Sequence, residues 1–123
     1  MNLVLVDNSE IFRKGLIELL KDINDLNIIA DIPHNNLNKL EVNEKIDVVV
    51  MDLVNNTKIN YLFIDKLKTH FPKAHLISFS NFENTEFESS KVNKYIDLHL
   101  DKKYEYNNLK QYIQFFIHRK YGG

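Results

Sequence analysis

Four apolar segments of the sequence are closely followed by polar side chains that could do chemistry, namely Asp7 with Asn8, Asp52, Ser80 and Lys102. Two carboxylates beside an amide oxygen make a hard oxygen site that suits Mg²⁺, which also takes phosphate oxygens as ligands. A lysine would balance the carboxylates, and a serine hydroxyl could donate a hydrogen bond to an anion held between them. The set therefore suits an aspartate that accepts a phosphoryl group while a metal ion neutralises charge.

The apolar segments have the length of β-strands, and they cover residues 3–6, 28–32, 46–51, 74–79 and 95–100. The third segment ends in VVVM and is apolar nearly throughout. Continuous apolar strands are typical of parallel sheets that are covered on both faces. The sequence therefore predicts buried strands, four of which deliver a polar group at their carboxyl end.

Segments with helical character separate these strands. Ser9 is a suitable N-cap for a helix whose apolar stripe is Phe12, Leu16, Leu19, Leu20 and Ile23. A second stripe ends before Pro72 and consists of Leu62, Phe63, Leu67 and Phe71. A final helix is marked by Leu109, Tyr112, Ile113, Phe116 and Ile117. A short polar helix is predicted within 34–45, and a marginal one within 83–92.

The alternation of strand and helix predicts the fold. Parallel strands need crossover connections, and the right-handed rule places the helices on both faces of the sheet. The expected fold class is α/β, a doubly wound, flavodoxin-like (βα)5 sheet with strand order 2-1-3-4-5. In that order strands 1, 3, 4 and 5 are successive neighbours, so their polar ends converge at one edge, where such sheets bind ligands.

Composition limits the classes of function. The 123 residues are 44% hydrophobic and 27% charged with a net charge of −1, which fits one globular domain and gives no direct nucleic-acid partner. The absence of cysteine excludes disulfides, thiolate metal sites and cysteine nucleophiles. Neither a signal peptide nor a membrane span is expected, so the expected location is the cytoplasm, with no membrane partner.

The chain resembles the receiver (CheY-like) domain of two-component response regulators over essentially its whole length. LVLVDNSEIFRKGLIELL looks like the first strand, acidic pair and first helix of that family, and DVVVMDL looks like its phospho-acceptor strand. FPKAHLISFSN is similar to the fourth strand with its switch hydroxyl, and LHLDKKYEYNNLKQYI to the fifth strand, lysine and last helix. Four such segments in the right order and spacing make a fairly specific match.

The resemblance implies a role for each candidate residue. Asp52 would be the phospho-acceptor, Ser80 the switch hydroxyl that follows the phosphoryl group, and Lys102 the cation that pairs with Asp52 or its phosphate. Lys102 is preferred to Lys103, because Leu109 then falls where the family has the first buried residue of its last helix. A bound Mg²⁺ would have its ligands among Asp7, Asn8, Asp52 and the backbone carbonyl of Val54.

The sequence departs from the family pattern at several positions. Asn8 replaces the second acid of the acidic pair, which removes one of three formal negative charges and predicts weak Mg²⁺ binding. His99 stands where the family has its rotating Tyr or Phe, and Lys103 stands where many relatives have proline. The loop LVNNTKIN lacks the Met-Pro and Gly that the family often has there. These departures affect the expected switch and leave the expected fold unchanged.

The resemblance implies a receiver domain at 1–119 that acts in phosphorelay signal transduction and is not an enzyme beyond self-phosphorylation and autodephosphorylation. Its partners would be a histidine kinase or phosphotransfer protein and a downstream effector protein. Residues 120–123 are expected to be a frayed tail. Phe115 and Phe116 point in different directions on the last helix, which therefore has more apolar surface than one face can bury and could form a homodimer.

Two alternatives remain open at this point. A pseudo-receiver would use the same face as a constitutive protein-interaction module without phosphate, which Asn8 favours and the retained Asp7, Asp52 and Lys102 disfavour. An enzyme or cofactor protein on the same fold is the other class. A haloacid-dehalogenase-type phosphatase needs an aspartate where Val54 stands, and a flavodoxin needs a hydroxyl- and glycine-rich loop after the first strand.

Overall fold

The sheet is built from the apolar segments of the sequence. The structure is a computed structural model that describes residues 1–55, 58–59, 61–81 and 93–121. Its main strands are β1 (Asn2–Val6), β2 (Asn27–Ile32), β3 (Val48–Met51), β4 (His75–Ser80) and β5 (Leu98–Asp101). All neighbouring pairs are parallel and the order is 2-1-3-4-5, so the predicted fold class is confirmed.

Within the described residues, three α-helices cover the sheet, and they are α1 (Glu10–Leu20), α2 (Tyr61–His70) and α3 (Tyr106–Tyr121). The hydroxyl of Ser9 accepts a hydrogen bond from the amide of Phe12, which confirms the predicted N-cap of α1. Two further segments, His34–Lys39 and Asn93–Tyr95, are 3-10 helices, and Val54–Asn55 pairs with Lys58–Ile59 as a short hairpin. The marginal helix predicted at 83–92 lies outside the described residues.

Each face of the sheet has its own core, because successive strand residues point to opposite faces. Val4 and Val6 of β1 pack on the side of α2, whereas Leu3 and Leu5 pack on the side of α1 and α3. All four residues of β3 are buried. Burial of each such aliphatic side chain contributes about 2 kcal/mol, and this explains why the strand is apolar on both faces.

The buried face of α2 differs from the predicted one. Leu62 is 74% exposed, and Ile64 lies in the core between Phe63 and Leu67. The helix begins at Tyr61, and positions 63, 64 and 67 then share one face at helical spacing, which leaves position 62 toward solvent. The prediction that Leu62 belongs to the buried stripe was therefore wrong.

The boundaries of some other elements also differ from the predicted ones. The segment predicted as a polar helix within 34–45 forms only the 3-10 helix His34–Lys39. The third strand begins at Val48 rather than at 46, and the fifth begins at Leu98 because Asn93–Tyr95 is helical. These shifts leave the carboxyl ends of the strands, where the polar side chains lie, at or next to their predicted positions.

The end of α3 is fixed by an ion pair at the amino edge of the sheet. Lys120 binds the carboxylate of Asp47, which also accepts a hydrogen bond of 2.8 Å from the backbone amide of Asn2. The helix therefore continues through Tyr121. The sequence pattern gave no indication of this long-range pair and predicted a frayed tail over 120–123. Residues 120 and 121 belong to α3, and 122–123 lie outside the described residues.

We predict that Asp47→Ala lowers the free energy of unfolding by about 2 kcal/mol at pH 7, because two charge-assisted hydrogen bonds are lost. Burial raises the pKa of Asp47, but the bonds from Asn2 and Lys120 outweigh it and hold the pKa below the ordinary 3.8. A lowered folded-state pKa means that the carboxylate stabilises the fold above pH 3.8 and loses this effect as the pH falls through the folded value.

Urea unfolding of the parent and the variant at pH 7 and pH 3 tests this expectation. The difference between the two proteins should shrink at the lower pH. Asp65→Ala removes an exposed carboxylate from α2 and is the matched control, with an expected change below about 0.5 kcal/mol. Equal losses in both variants would contradict the role assigned to Asp47.

Candidate functional site

Three of the predicted site residues meet at the carboxyl edge of the sheet. Asp7 follows β1, Asp52 follows β3, and Lys102 follows β5. The ammonium nitrogen of Lys102 lies 2.6 Å from Oδ2 of Asp7 and 2.8 Å from Oδ2 of Asp52. The lysine thus spans β4 and bridges two carboxylates that would otherwise repel each other. The structure places Lys102 in this position, whereas Lys103 is exposed.

The two carboxylates are oriented by their own loops. Oδ1 of Asp7 accepts a 2.8 Å hydrogen bond from the amide of Ser9, and Oδ1 of Asp52 accepts one of 2.8 Å from the amide of Val54. The side chains of Asp7 and Asp52 are 8% and 16% exposed. Each acid therefore uses one oxygen to hold its loop and the other to bind Lys102, so both side chains are fixed before any ligand enters.

Aromatic rings confine the lysine from the side. The ammonium nitrogen of Lys102 lies 4.2 Å from the ring centroid of Phe12, a cation–π distance. Phe12 in turn packs against Phe79 and Tyr106, at centroid distances of 5.4 Å and 6.1 Å. These contacts keep the side chain of Lys102 in the orientation that reaches both carboxylates.

Arg13 supports the turn that carries Asp7, and the sequence analysis missed it. It is buried on α1, donates to the backbone carbonyl of Asp7, and pairs through Nε with Oδ1 of Asp31 at 3.2 Å. This clamp fixes the turn that presents Asp7. The available signal was position, because Arg13 lies on the same helical face as the buried Leu16 and Leu20.

A chain of hydrogen bonds links the loop that follows β3 to β5. The amide of Leu53 donates to Oγ of Ser80 at 2.8 Å, Oγ of Ser80 lies 3.1 Å from Oγ of Ser78, and Ser78 lies 3.1 Å from Nδ1 of His99. Both serines are fully buried. The predicted switch hydroxyl at Ser80 and the predicted switch residue His99 are thus connected through one intervening hydroxyl.

Ser78 belongs to this chain of hydrogen bonds, although the sequence analysis assigned it no part in the site. Residues two apart on a strand share one face, so Ser78 lies beside Ser80 and mediates its link to His99.

Asn8 is engaged in a local contact. Its side-chain oxygen accepts a 2.8 Å hydrogen bond from the backbone amide of His34, and the residue is exposed. The position that would hold a metal-binding acid in the resembled family therefore ties the loop after β1 to the 3-10 helix that begins at His34. The backbone amide of Val54 binds Asp52, as described above.

His34 lies near the carboxylates of Asp7 and Asp52. Its ring is stacked on that of Phe63, at a centroid distance of 4.1 Å and an angle of 13°. Both ring nitrogens are buried, and neither has a hydrogen-bond partner within the described part of the chain. Burial lowers the pKa of His34 below its ordinary 6.5, although the charges of Asp52 and Asp7 act in the opposite direction. The imidazole is therefore neutral at pH 7.

The carboxyl edge of the sheet carries oxygen atoms of the kind that bind a hard cation. The oxygens of Asp7, Asp52 and Asn8 suit Mg²⁺ in kind. No group of three or more His, Cys, Asp or Glu side chains that could hold a metal ion occurs among residues 1–55, 58–59, 61–81 and 93–121. The donor set thus fits Mg²⁺ in chemistry but offers only two carboxylates, both bound to Lys102.

The comparisons with known proteins agree on the fold. The chain is similar to the isolated REC domain of RcsB from Salmonella enterica serovar Typhimurium, with a TM-score of 0.69 and 23% identity over 90% of this chain and 83% of that one. It is also similar to a LuxR-family two-component response regulator from Aurantimonas sp. SI85-9A1, with a TM-score of 0.75 and 19% identity over 94% and 84% of the chains.

A third similar structure is the complex of the two-component response regulator RcsB with DNA, with a TM-score of 0.73 and 22% identity over 95% of this chain. This chain spans 62% of the length of that regulator. No family model and no curated protein matches the sequence. The structural likenesses establish the fold of a response-regulator receiver domain. Within the described residues, no helix is long and apolar enough to cross a membrane.

We predict that Lys102→Met lowers the free energy of unfolding by about 3 kcal/mol at pH 7, because it leaves two partly buried carboxylates without their shared cation. Adding Asp7→Asn to this variant should recover a large part of the loss, since only one charge then remains. Chemical denaturation measures both effects. Lys103→Met is the control for removal of a nearby exposed lysine, and a parent-like stability of Lys102→Met would contradict the bridging role.

Proposed function

We propose that the chain is a receiver domain of a two-component phosphorelay and accepts a phosphoryl group on Asp52 from a histidine kinase or phosphotransfer protein. The observation that supports this most is the bridge from Lys102 to Asp52 and Asp7 at the carboxyl edge of a receiver fold. Ser80, whose hydroxyl binds the amide next to Asp52, completes the set.

In the proposed reaction a carboxylate oxygen of Asp52 attacks the phosphorus atom of a phosphohistidine. A new P–O bond forms, the P–N bond breaks, and the donor imidazole leaves with the electron pair. Lys102 offsets negative charge on the phosphoryl oxygens, and Asp7 keeps the ammonium group in place. When bound, Mg²⁺ would neutralise further charge, with ligands drawn from Asp7, Asp52, the amide oxygen of Asn8 and the carbonyl of Val54.

The proposed switch uses the hydroxyl chain of the resting site. Ser80 accepts from the amide of Leu53, so its one hydroxyl hydrogen can be donated either to Ser78 or to a phosphoryl oxygen on Asp52, and donation to the phosphoryl oxygen changes the contact with Ser78. Because Ser78 binds His99, this change is transmitted to β5 and the face beside it. An effector protein that reads this face would then distinguish the two states of Asp52.

A second candidate function is a pseudo-receiver that binds its partner constitutively. The observations that favour it are the hydrogen bond between Asn8 and His34, which occupies the amide oxygen, and the cation that already bridges both acids. In that case the same face would be used without phosphate. The two candidates differ in one chemical property, the ability of Asp52 to form an acyl phosphate.

We predict that the parent chain gains one phosphoryl group in intact-mass measurements after incubation with acetyl phosphate and Mg²⁺, and that Asp52→Asn gains none. Asn8→Asp should react faster, on the order of tenfold, because it adds a carboxylate to the metal ligands. An aspartate at position 8 can still accept the hydrogen bond from His34, so the fold should be unchanged.

The outcomes separate the candidates. Addition to the parent that depends on Asp52 supports the receiver, whereas addition seen only after Asn8→Asp supports the pseudo-receiver. No addition to any variant, with folding verified by circular dichroism, would overturn the assignment of Asp52. Asp65→Asn, which changes an exposed acid on α2 away from the carboxylate pair, is the control for general loss of charge.

A homodimer through α3 is the proposed assembly. Tyr112 and Phe115 are 37% and 55% exposed on this helix, and with Leu98 and Phe116 they line a shallow apolar cavity of about 410 Å³. A solved structure of RcsB contains dimers bound to DNA, and this chain shares its fold. In the proposed dimer, the exposed rings of α3 would form the apolar centre of the contact.

We predict that sedimentation velocity of the parent shows a concentration-dependent dimer and that Phe115→Glu remains a monomer, because a charge in an apolar contact is left unpaired. Ile11→Glu alters an exposed apolar residue on α1 and is the matched control that should leave the dimer intact. A parent that is only monomeric at high concentration would rule out this assembly.

A further inference from the structure

A basic cavity lies at the amino edge of the sheet, at the opposite end from Asp52. It surrounds the points where the loops before β3 and β4 meet the end of α3, and its volume is about 430 Å³. Cavities of 300–1,000 Å³ are typical of small-molecule sites. We call it the basic pocket and define it by Lys45, Asp47, Lys73, His75, Phe116 and Arg119, together with Lys120 described above.

The pocket has a strong excess of positive charge. Four cations, Lys45, Lys73, Arg119 and Lys120, and one carboxylate, Asp47, line the cavity, which leaves a surplus of three positive charges among the lining residues of a chain whose net charge is −1. Asp47 is already paired, because its oxygens accept from Lys120 and from the amide of Asn2, and a second carboxylate, Asp97, lies 3.8 Å from Nδ1 of His75. Such a concentration of like charge in a concave surface attracts anions.

Two of these cations have no anionic partner. Within the described ranges, neither Lys45 nor Lys73 lies within ion-pair distance of a carboxylate, and Arg119 contacts the ring of Phe115 at 5.9 Å. Their side chains are exposed and lie at the mouth of the cavity. They can therefore turn toward a bound anion without first breaking an ion pair.

One wall of the pocket is aromatic. The rings of His75 and Phe116 are stacked nearly parallel, with centroids 5.7 Å apart and an angle of 11°. Both line the cavity, and His75 is exposed. A flat heterocycle can stack on the exposed face of such an aromatic wall. Cations and an aromatic wall in one cavity match the two parts of a nucleotide.

We propose that the basic pocket binds a nucleoside phosphate, with its phosphates near Lys45, Lys73 and Arg119 and its base against His75 and Phe116. The size of the cavity suits one nucleotide rather than a nucleic-acid strand, which needs an extended basic groove. This site is independent of the acceptor site, because it shares no residue with it and lies at the other end of the strands.

The test is a titration of the folded chain with ADP, pyrophosphate and adenosine, followed by two-dimensional NMR and calorimetry. ADP should shift the resonances of His75 and Phe116 and leave those around Ser80 unchanged. Lys45→Glu with Lys73→Glu should weaken ADP and pyrophosphate at least about tenfold, since both lose their charge partners. Phe116→Leu should weaken ADP about fivefold or more and leave pyrophosphate unchanged.

The matched control is Lys39→Glu with Lys66→Glu, which makes the same change of charge at exposed positions outside the pocket. It should retain ADP binding within about twofold. The inference is overturned if ADP causes no shift at millimolar concentration, if the control pair weakens binding as much as the pocket pair, or if the shifts centre on Lys102. Should the glutamate pair fail to fold, Lys45→Gln with Lys73→Gln gives the same comparison.

Discussion

The ion bridge from Lys102 to Asp7 and Asp52 is the interaction on which the carboxyl edge of this sheet depends. Two acids that end adjacent strands, β1 and β3, would repel each other in a partly buried setting unless a cation is shared between them. The cation comes from the far edge of the sheet. It reaches the acids across the end of β4, where the side chain of Ser80 is small. Strand order and side-chain size at one position together make the bridge feasible.

The same strand order also allows a chain of hydrogen bonds across the sheet, in addition to the ion bridge of Lys102. Ser80 and Ser78 alternate with the large Phe79 on β4, so the hydroxyls point to one face while the ring fills the opposite core. A line of hydrogen bonds then runs from the amide of Leu53 across β4 to His99 on β5. The loop that follows β3 is thereby joined to β5 by polar contacts that lie beside the aliphatic packing of the sheet.

Much of this arrangement could be predicted from the sequence, because strands and their polar ends are local patterns. The alternation of strand and helix predicted the parallel sheet, and the flavodoxin-like order chosen for it placed Asp7, Asp52 and Lys102 close together. The partners of Arg13, the contact of Lys120 with Asp47 and the hydrogen bond of Asn8 could not be predicted in this way. Each depends on which distant segment a side chain meets, and that is decided by tertiary packing rather than by periodicity.

The charge of the carboxyl edge bears on how a metal and a phosphoryl group would share it. With Asn8 neutral, Asp7, Asp52 and Lys102 give a net charge of −1, and a divalent cation alone would change it to +1. Under the proposed function the phosphoryl group adds up to about two negative charges and consumes that of Asp52. The edge is then at −2 without the metal and neutral with it. Electrostatics therefore favours binding of Mg²⁺ together with the phosphoryl group over binding of Mg²⁺ to the resting site. A second acid at position 8 would bring the resting site to −2 and strengthen the binding of Mg²⁺ there.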